Sequence, residues 1–329
     1  MINLIYVSLV CAIALSVIPA LPGSSFAVDS PMQVFRDALL GQNIHIADTN
    51  KLSDILEQLV LHGVGKLQLV VDFDRTLTNR WDVKRRRLHP TTRGILNQLC
   101  PLSLRNRIVL INKNIRAAET DLSLSRLRRM PLMVARQQSI QRILLKCTLK
   151  RDDIQDIVRR NANLRAGTSE LLDWSGRLGV PLVVMSSGIG DVVHAELALA
   201  HAKSLPRTVK VVSNFCVFNS SNNLVGFSQP LIVSSGKSST LIPASVAAEL
   251  LGRSCMILVG DALDDATMSD GAELTTLLKI GLLNHNVDAL LPRYLELFDI
   301  IVTGDASLEP LLAILHGVQF STRPALPFR

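Results

Sequence analysis

A near-continuous apolar run that ends in two aspartates, LQLVVDFDRTLT at residues 67–78, constrains this chain more than any other stretch. Its β-branched content and apolar pattern predict a buried strand whose tip carries Asp72 and Asp74 into a loop. Successive strand side chains point to opposite faces, so at a frayed strand end the two carboxylates can serve one centre in different ways. Taken alone, aspartates in this position are as readily loop starters or helix caps.

Later strand ends change that balance. Residues 180–188 read as an apolar strand running into Ser186, Ser187 and Gly188, with a helix over residues 189–202 behind it. Residues 209–218 and 224–227 read as strands flanking a turn at Asn222 and Asn223. Residues 256–265 read as a strand ending in Asp261, Asp264 and Asp265, and residues 298–303 as the last strand. Strands separated by helices predict an α/β fold with a largely parallel sheet and ligands at the strands' carboxyl ends.

Those ends hold the parts that phosphoryl transfer through an aspartate needs. A phosphate monoester repels an attacking carboxylate, so the transferring oxygens require positive charge and hydrogen-bond donors. Lys237 and a divalent cation among the carboxylates would supply the charge, and Mg²⁺ suits such an oxygen set. Ser186 and nearby backbone N–H groups would be the donors, although a serine here also suits a plain helix N-cap. Asp72 would attack phosphorus to give an aspartyl phosphate, and Asp74 would protonate the leaving alcohol and then activate water. The Ser-Ser-Gly-Lys-Ser-Ser stretch around Lys237 is not a P-loop, because Leu231 stands where the first glycine is needed.

The rest of the chain bounds the setting. A formal net charge of +7 favours an anionic partner without choosing among nucleic acid, a membrane surface and phosphorylated substrates. Residues 1–27 are apolar and close on Ser25-Phe26-Ala27, the pattern of a targeting segment that is cleaved or kept as an anchor. Asn219-Ser220-Ser221 is then a candidate glycosylation acceptor. Residues 30–62 read as a helical lead-in. Residues 82–165, arginine-rich from Lys84-Arg85-Arg86-Arg87 onward, read as a mostly helical insertion between core segments 28–81 and 166–329. Cys11, Cys100, Cys147, Cys216 and Cys255 are scattered and the histidines unclustered, so neither a zinc site nor a disulfide framework is indicated. Each cysteine is expected as a small buried apolar residue.

Together, Asp72-Phe73-Asp74-Arg75-Thr76, the strand-end serine, the separate lysine and Gly260-Asp261 followed by Asp265 resemble the haloacid dehalogenase superfamily of phosphohydrolases. More narrowly, the chain resembles the eukaryotic pyrimidine 5′-nucleotidase family, also called cytosolic 5′-nucleotidase III. That likeness rests on SSGIGDVV at residues 186–193, VKVVSN at 209–214, GDALDDATMSDG at 260–271, KIGLLN at 279–284 and FDIIV at 298–302. It implies a Rossmann-like core with a helical cap inserted after the first motif, and hydrolysis of pyrimidine nucleoside 5′-monophosphates with Mg²⁺. By position, Asp72 resembles the family's nucleophile and metal ligand, and Asp74 the acid/base that lends its backbone carbonyl to the metal. Ser186 and Ser187 resemble the phosphate-contacting pair, Lys237 the motif lysine, Asp261 the third metal ligand and Asp265 the outer acid beside metal-bound water. In the cap, Glu119 resembles the base-contacting glutamate and Ser139 the cap serine.

The chain also departs from its apparent relatives. Leu127-Arg128-Arg129 stands where the family usually has Glu-Glu-Lys, Ala135-Arg136 where it has Glu-Trp, Ser187 where it has alanine and Asp264 where it has glycine. Losing an aromatic and gaining arginines removes a stacking surface and reverses local charge, which leaves base preference open. One alternative is a phosphatase or phosphotransferase for another small phosphate ester. Another is an arginine-rich cap that binds RNA or an acidic partner beside a vestigial site. The expected partner is a small nucleotide rather than nucleic acid, the expected state a monomer, and membrane contact is expected only through an uncleaved N-terminal segment. That segment points to the secretory pathway or a membrane anchor, whereas most of the family is cytoplasmic.

Overall fold

The computed structural model describes residues 43–120, 124–201 and 204–320, so the expected targeting segment at residues 1–27 lies outside the described residues. Its strands are β1 (Ile44–Ile46), β2 (Leu67–Val71), β3 (Trp81–Asp82), β4 (Arg87–Leu88), β5 (Leu182–Ile189), β6 (Val209–Asn214), β7 (Cys216–Phe218), β8 (Leu224–Phe227), β9 (Cys255–Gly260), β10 (Thr276–Leu283) and β11 (Ile300–Thr303). Seven of them form one sheet in the order β1-β11-β10-β9-β2-β5-β6. Every pairing in it is parallel except β1 on β11. The expected α/β fold with a largely parallel sheet is what the chain forms.

Strand β2 lies inside this sheet, between β9 and β5, and all five of its residues are buried. Leu67, Leu69 and Val71 join one apolar cluster with Leu56, Leu59, Trp174 and Ile314, while Val70 joins a second with Met185, Leu258 and Phe298. Burial on both faces explains why the stretch reads as a continuous apolar run. The helix Thr49–Lys66 leads into it. Asp48 caps that helix by accepting from the backbone N–H groups of Asn50 (2.9 Å) and Lys51 (3.0 Å). Leu52, Leu56 and Leu59 bury its inner face, and Gly63 at φ 62 interrupts its regular geometry.

Residues 82–165 carry the β3–β4 pair and the helices Thr92–Asn97, Leu102–Thr120, Arg126–Leu144 and Arg151–Asn161. Their apolar faces meet in a third cluster, in which Ile95, Leu96, Ile140, Leu144 and Val158 pack with Ile189, Val192, Cys216 and Leu224. The segment is thereby anchored on the helix Gly190–Ala200 and on the β7–β8 hairpin.

Four expectations need correction. The helical lead-in over residues 30–62 contains a strand, β1, because Ile44–Ile46 completes the sheet edge against β11. The single strand over residues 209–218 breaks at Phe215. There the Asn214 side chain turns onto the end of β5, and the chain continues as the β7–β8 hairpin. The strand over residues 256–265 stops at Gly260, after which Leu263–Thr267 form a 3₁₀ turn closed by Asp265 Oδ2 accepting from the Ala262 N–H (3.0 Å). Strand β10 was not expected, since Lys279 interrupts its apolar pattern.

The cysteines give the fifth correction. Cys100 and Cys147 are joined in a disulfide, with Cα atoms 5.1 Å apart. Spacing could not reveal it, because the two cysteines stand 47 positions apart and meet only where the helices Leu102–Thr120 and Arg126–Leu144 begin and end. Closing a loop of that length stabilises the chain by about 4 kcal/mol in the chain-entropy picture. Cys216 and Cys255 are buried free thiols, as expected.

Candidate active site

The sheet order sets β2, β5 and β9 side by side, so their carboxyl ends meet at one edge. Val71 pairs with Val184 and with Val259, and the Asp72 N–H continues the ladder to the Val259 carbonyl (2.9 Å). Asp72 therefore sits beside the end of β9, where Asp261 and Asp265 follow. Carboxylate oxygens of Asp72, Asp261 and Asp265 lie within 4.8 Å of one another. Gly260 makes this approach possible, because a Cβ there would stand 2.3 Å from the Asp265 Cβ.

Lys237 is buried against this cluster. Its Nζ donates to Asp72 Oδ1 and to Asp265 Oδ1 (2.8 Å). Burial works against the Lys237 ammonium, but Asp265 and Asp72 outweigh it and hold the pKa above the usual lysine value. Burial pushes the Asp265 carboxyl up to about 6, with Lys237 opposing the shift and Asp72 adding to it. Burial, Asp72 and Asp265 raise Asp261 well above the carboxylate range. Three acids against one lysine leave an excess of negative charge on hard oxygen donors, a set that fits a divalent cation.

Asp74 is held differently. Its Oδ1 accepts from the Thr92 N–H (2.7 Å) and its Oδ2 from the Thr92 hydroxyl (2.9 Å), at the first turn of the helix Thr92–Asn97. Burial raises its pKa, and the Thr92 bonds together with Arg93 and Arg75 resist that rise. Thr92 Oγ1 also accepts from the Ile189 N–H (3.2 Å), which ties the strand end of β5 to the same point. The glycine at 188 permits this contact, since a Cβ there would stand 1.9 Å from Thr92 Oγ1. Ser186 is buried and accepts from the Gly188 N–H (3.1 Å), and Ser187 is half-buried beside it. Asn214 braces this strand end, donating to the carbonyls of Ser187 (3.0 Å) and Gly188 (3.2 Å), and ties it to the Ile232 carbonyl (2.9 Å). The helix Gly190–Ala200 starts directly after β5, with Asp191 in its first turn.

Two buried ionisable side chains lie next to this edge, Arg165 and Glu196. Arg165 is buried and donates to the carbonyls of Thr76 (2.6 Å) and Arg75 (2.5 Å), to Asn284 Oδ1 (3.0 Å), and to Asp305 (3.1 Å). It fixes the turn after Asp74, where Arg75 is left-handed at φ 69. Arg165→Met strands these acceptors and should destabilise the protein by about 3–5 kcal/mol in denaturant titration. Glu196, buried on the helix Gly190–Ala200, has its pKa raised to about 8 by burial and by the charge of Asp74, with the Asn163 backbone N–H opposing the rise. Its folded pKa exceeds the unfolded one, so the native state binds more protons and stability falls as pH rises from about 4.5 through 8. Glu196→Gln should flatten the decline of Tm between pH 5 and 9 and raise Tm at the alkaline end.

Sequence reading named most of these groups and missed their supports: Thr92, Asn214, Arg165 and Tyr294, whose hydroxyl donates to the Asp261 carbonyl. Hydroxyls and amides without motif spacing gave no signal for them. Two family departures turn out to be partners, because Arg129 reaches across to Asp264 Oδ1 (2.7 Å) while the Ser235 hydroxyl holds Asp264 Oδ2 (2.7 Å). Arg126 adds bonds to Asp270 (3.0 Å) and to the Lys237 carbonyl (3.3 Å). The helix Arg126–Leu144 is thus fastened over the lysine turn. Ser139 is half-buried on that helix and shares no hydrogen bond with the acidic cluster. Glu119 falls in the last turn of Leu102–Thr120, where its side chain lies outside the described residues.

Known proteins resemble this chain over most of its length. The model of the family described as Pyrimidine 5'-nucleotidase (UMPH-1) matches residues 75–319. A Gallus gallus protein named 7-methylguanosine phosphate-specific 5'-nucleotidase is 30% identical over 284 residues, covering 85% of this chain and 97% of its own. The Homo sapiens protein of that name is 28% identical over 285 residues, covering 85% and 94%. Among solved structures, cytosolic 5'-nucleotidase IIIB bound to cytidine superposes with a TM-score of 0.78 at 26% identity, covering 87% of this chain and 96% of that one. With the acidic strand ends, the buried lysine and the serine loop in one place, this likeness over nearly the whole described chain makes the protein a phosphoric monoester hydrolase, a 5′-nucleotidase, and a member of the Pyrimidine 5'-nucleotidase (UMPH-1) family.

Proposed function

We propose that the protein hydrolyses nucleoside 5′-monophosphates through a phosphorylated Asp72, with Mg²⁺ held by Asp72, Asp261, Asp265 and the Asp74 carbonyl. The observation that carries this reading is the three-carboxylate cluster with Lys237 bonded into it. The cation supplies positive charge to the phosphate oxygens when bound. Asp72 attacks phosphorus, and the P–O bond to the 5′ oxygen breaks as Asp74 delivers its proton there. Ionised Asp74 then takes a proton from water, which attacks the phosphorus and releases phosphate from Asp72. Lys237, Ser186, Ser187 and the backbone donors after β5 hold the transferring oxygens. In this reading residues 82–165 form the cap over a core made of residues 28–81 and 166–329, with Glu119 and Ser139 on the base.

Two base classes merit direct comparison. The family description supports pyrimidine nucleotides, and the names of the Gallus gallus and Homo sapiens relatives support 7-methylguanosine monophosphate. The test is phosphate release from CMP, UMP, 7-methylguanosine 5′-monophosphate and phosphoserine, with Mg²⁺ and after chelation. Turnover of at least one nucleotide above phosphoserine, lost on chelation and restored by Mg²⁺, is the expected outcome. Phosphoserine ranking above every nucleotide would overturn the substrate class, and full turnover in chelator would overturn the metal.

A further inference from the structure

We propose that this chain folds in the secretory pathway and carries an N-linked glycan on Asn219. The sequence contains a single Asn-x-Ser/Thr triplet, Asn219-Ser220-Ser221. The structure puts all three residues on an exposed turn between β7 and β8, outside the seven-stranded sheet. Asn219 Oδ1 is used inside the turn, accepting from the N–H groups of Ser221 (3.1 Å) and Asn223 (3.0 Å). The Nδ2 that would bear the sugar is not needed for that fold. The hairpin itself is firmly seated, since the Arg151 N–H donates to the Asn222 carbonyl (3.3 Å), the Leu224 N–H to the Leu149 carbonyl (2.8 Å), and the Arg151 guanidinium lies 4.4 Å from the Phe218 ring centroid.

An independent observation gives the compartment. The buried Cys100–Cys147 disulfide stitches together the two ends of the helical hairpin of the cap. Such bonds form and persist where the environment is oxidising, and thiols in a reducing cytosol stay reduced. N-linked transfer occurs in that same oxidising lumen, and the apolar stretch of residues 1–27 is the kind of segment that delivers a chain there. In the transfer, the Asn219 Nδ2 forms a bond to C1 of the first sugar of a lipid-linked oligosaccharide. The bond from C1 to the lipid diphosphate breaks, the amide proton passes to a base on the transferase, and the lipid diphosphate leaves with the electron pair.

The test expresses the full chain in cultured eukaryotic cells as wild type and Asn219→Gln. Expected is a wild-type band that shifts by one glycan on treatment with peptide N-glycosidase, an N219Q band that does not shift, and equal nucleotide turnover by both. Glycosidase treatment in ¹⁸O water should label residue 219 as aspartate, and Cys100 and Cys147 should resist alkylation until reduced. Ser221→Ala removes the acceptor hydroxyl without touching Asn219 and should give the same loss of shift, which covers poor folding of N219Q. An unmodified Asn219 peptide in the wild type, or Cys100 and Cys147 alkylated without reduction, overturns the proposal.

Discussion

Asp72→Asn is expected to lower phosphate release by on the order of 10⁴-fold or more, because the amide keeps the shape of the side chain and loses the nucleophile. Asp72 Oδ2 accepts from the Thr76 hydroxyl (3.0 Å), and Oδ1 receives Lys237, so an asparagine still finds partners in the same pocket. The folded state also sheds one of three mutually repelling acids, whose charge helps to raise the pKa of both Asp261 and Asp265. Circular dichroism and Tm close to wild type, beside lost turnover, would locate the effect in the chemistry. Turnover within tenfold of wild type would remove Asp72 from the role of nucleophile.

Lys237→Met is expected to be the second largest change, and it acts on both activity and stability. It removes the cation from between Asp72 and Asp265, at side chains that are 4%, 6% and 2% exposed. Breaking a buried pair in this way typically costs about 3–5 kcal/mol, because the remaining charges stay behind. The stability loss should grow with pH, since Lys237 lowers the pKa of Asp261 and Asp265, and without it their ionisation opposes folding more strongly. Turnover should fall by about 10²–10³-fold through loss of charge at the transferring oxygens. Added Mg²⁺ should recover part of the lost Tm in this variant, by replacing the missing charge, and little of the lost turnover. Denaturation curves and kinetics with and without Mg²⁺ measure both.

What the sequence made legible follows from how each group is encoded. Asp72, Ser186, Asp261 and Asp265 lie at the ends of strong apolar runs, where strand pattern and polar tip mark each other, and the parallel sheet then brings the tips together. Lys237 is singled out in the sequence by the need for a cation at the phosphate and by its likeness to the family's motif lysine, and the structure supplies its contacts with Asp72 and Asp265. Strand β10 was hidden by Lys279, and β1 by its shortness and by its role as an edge that exists only once β11 is there. The Cys100–Cys147 bond and the Arg129–Asp264 pair are long-range facts of the helical segment. Each partner alone looks ordinary, and the arginine looked like a solvated charge until the structure brought an aspartate to it. Arg129 and Asp264 are partners in this fold, 2.7 Å apart between the helix Arg126–Leu144 and the turn after β9.

The tie between Asp74 and Thr92 joins proton affinity to motion. The two Thr92 bonds favour the ionised carboxylate, while burial favours the neutral acid. A shift of the helix Thr92–Asn97 that slackens these bonds with the carboxyl still dry makes Asp74 a weaker acid that keeps its proton. Re-engagement makes it readier to let the proton go. The same helix packs Ile95 and Leu96 into the apolar cluster shared with residues 140–158, so the posture of the whole helical layer is felt at one carboxyl group. The two Thr92 bonds thus couple the packing of the helical layer to the proton affinity of Asp74 at the sheet edge.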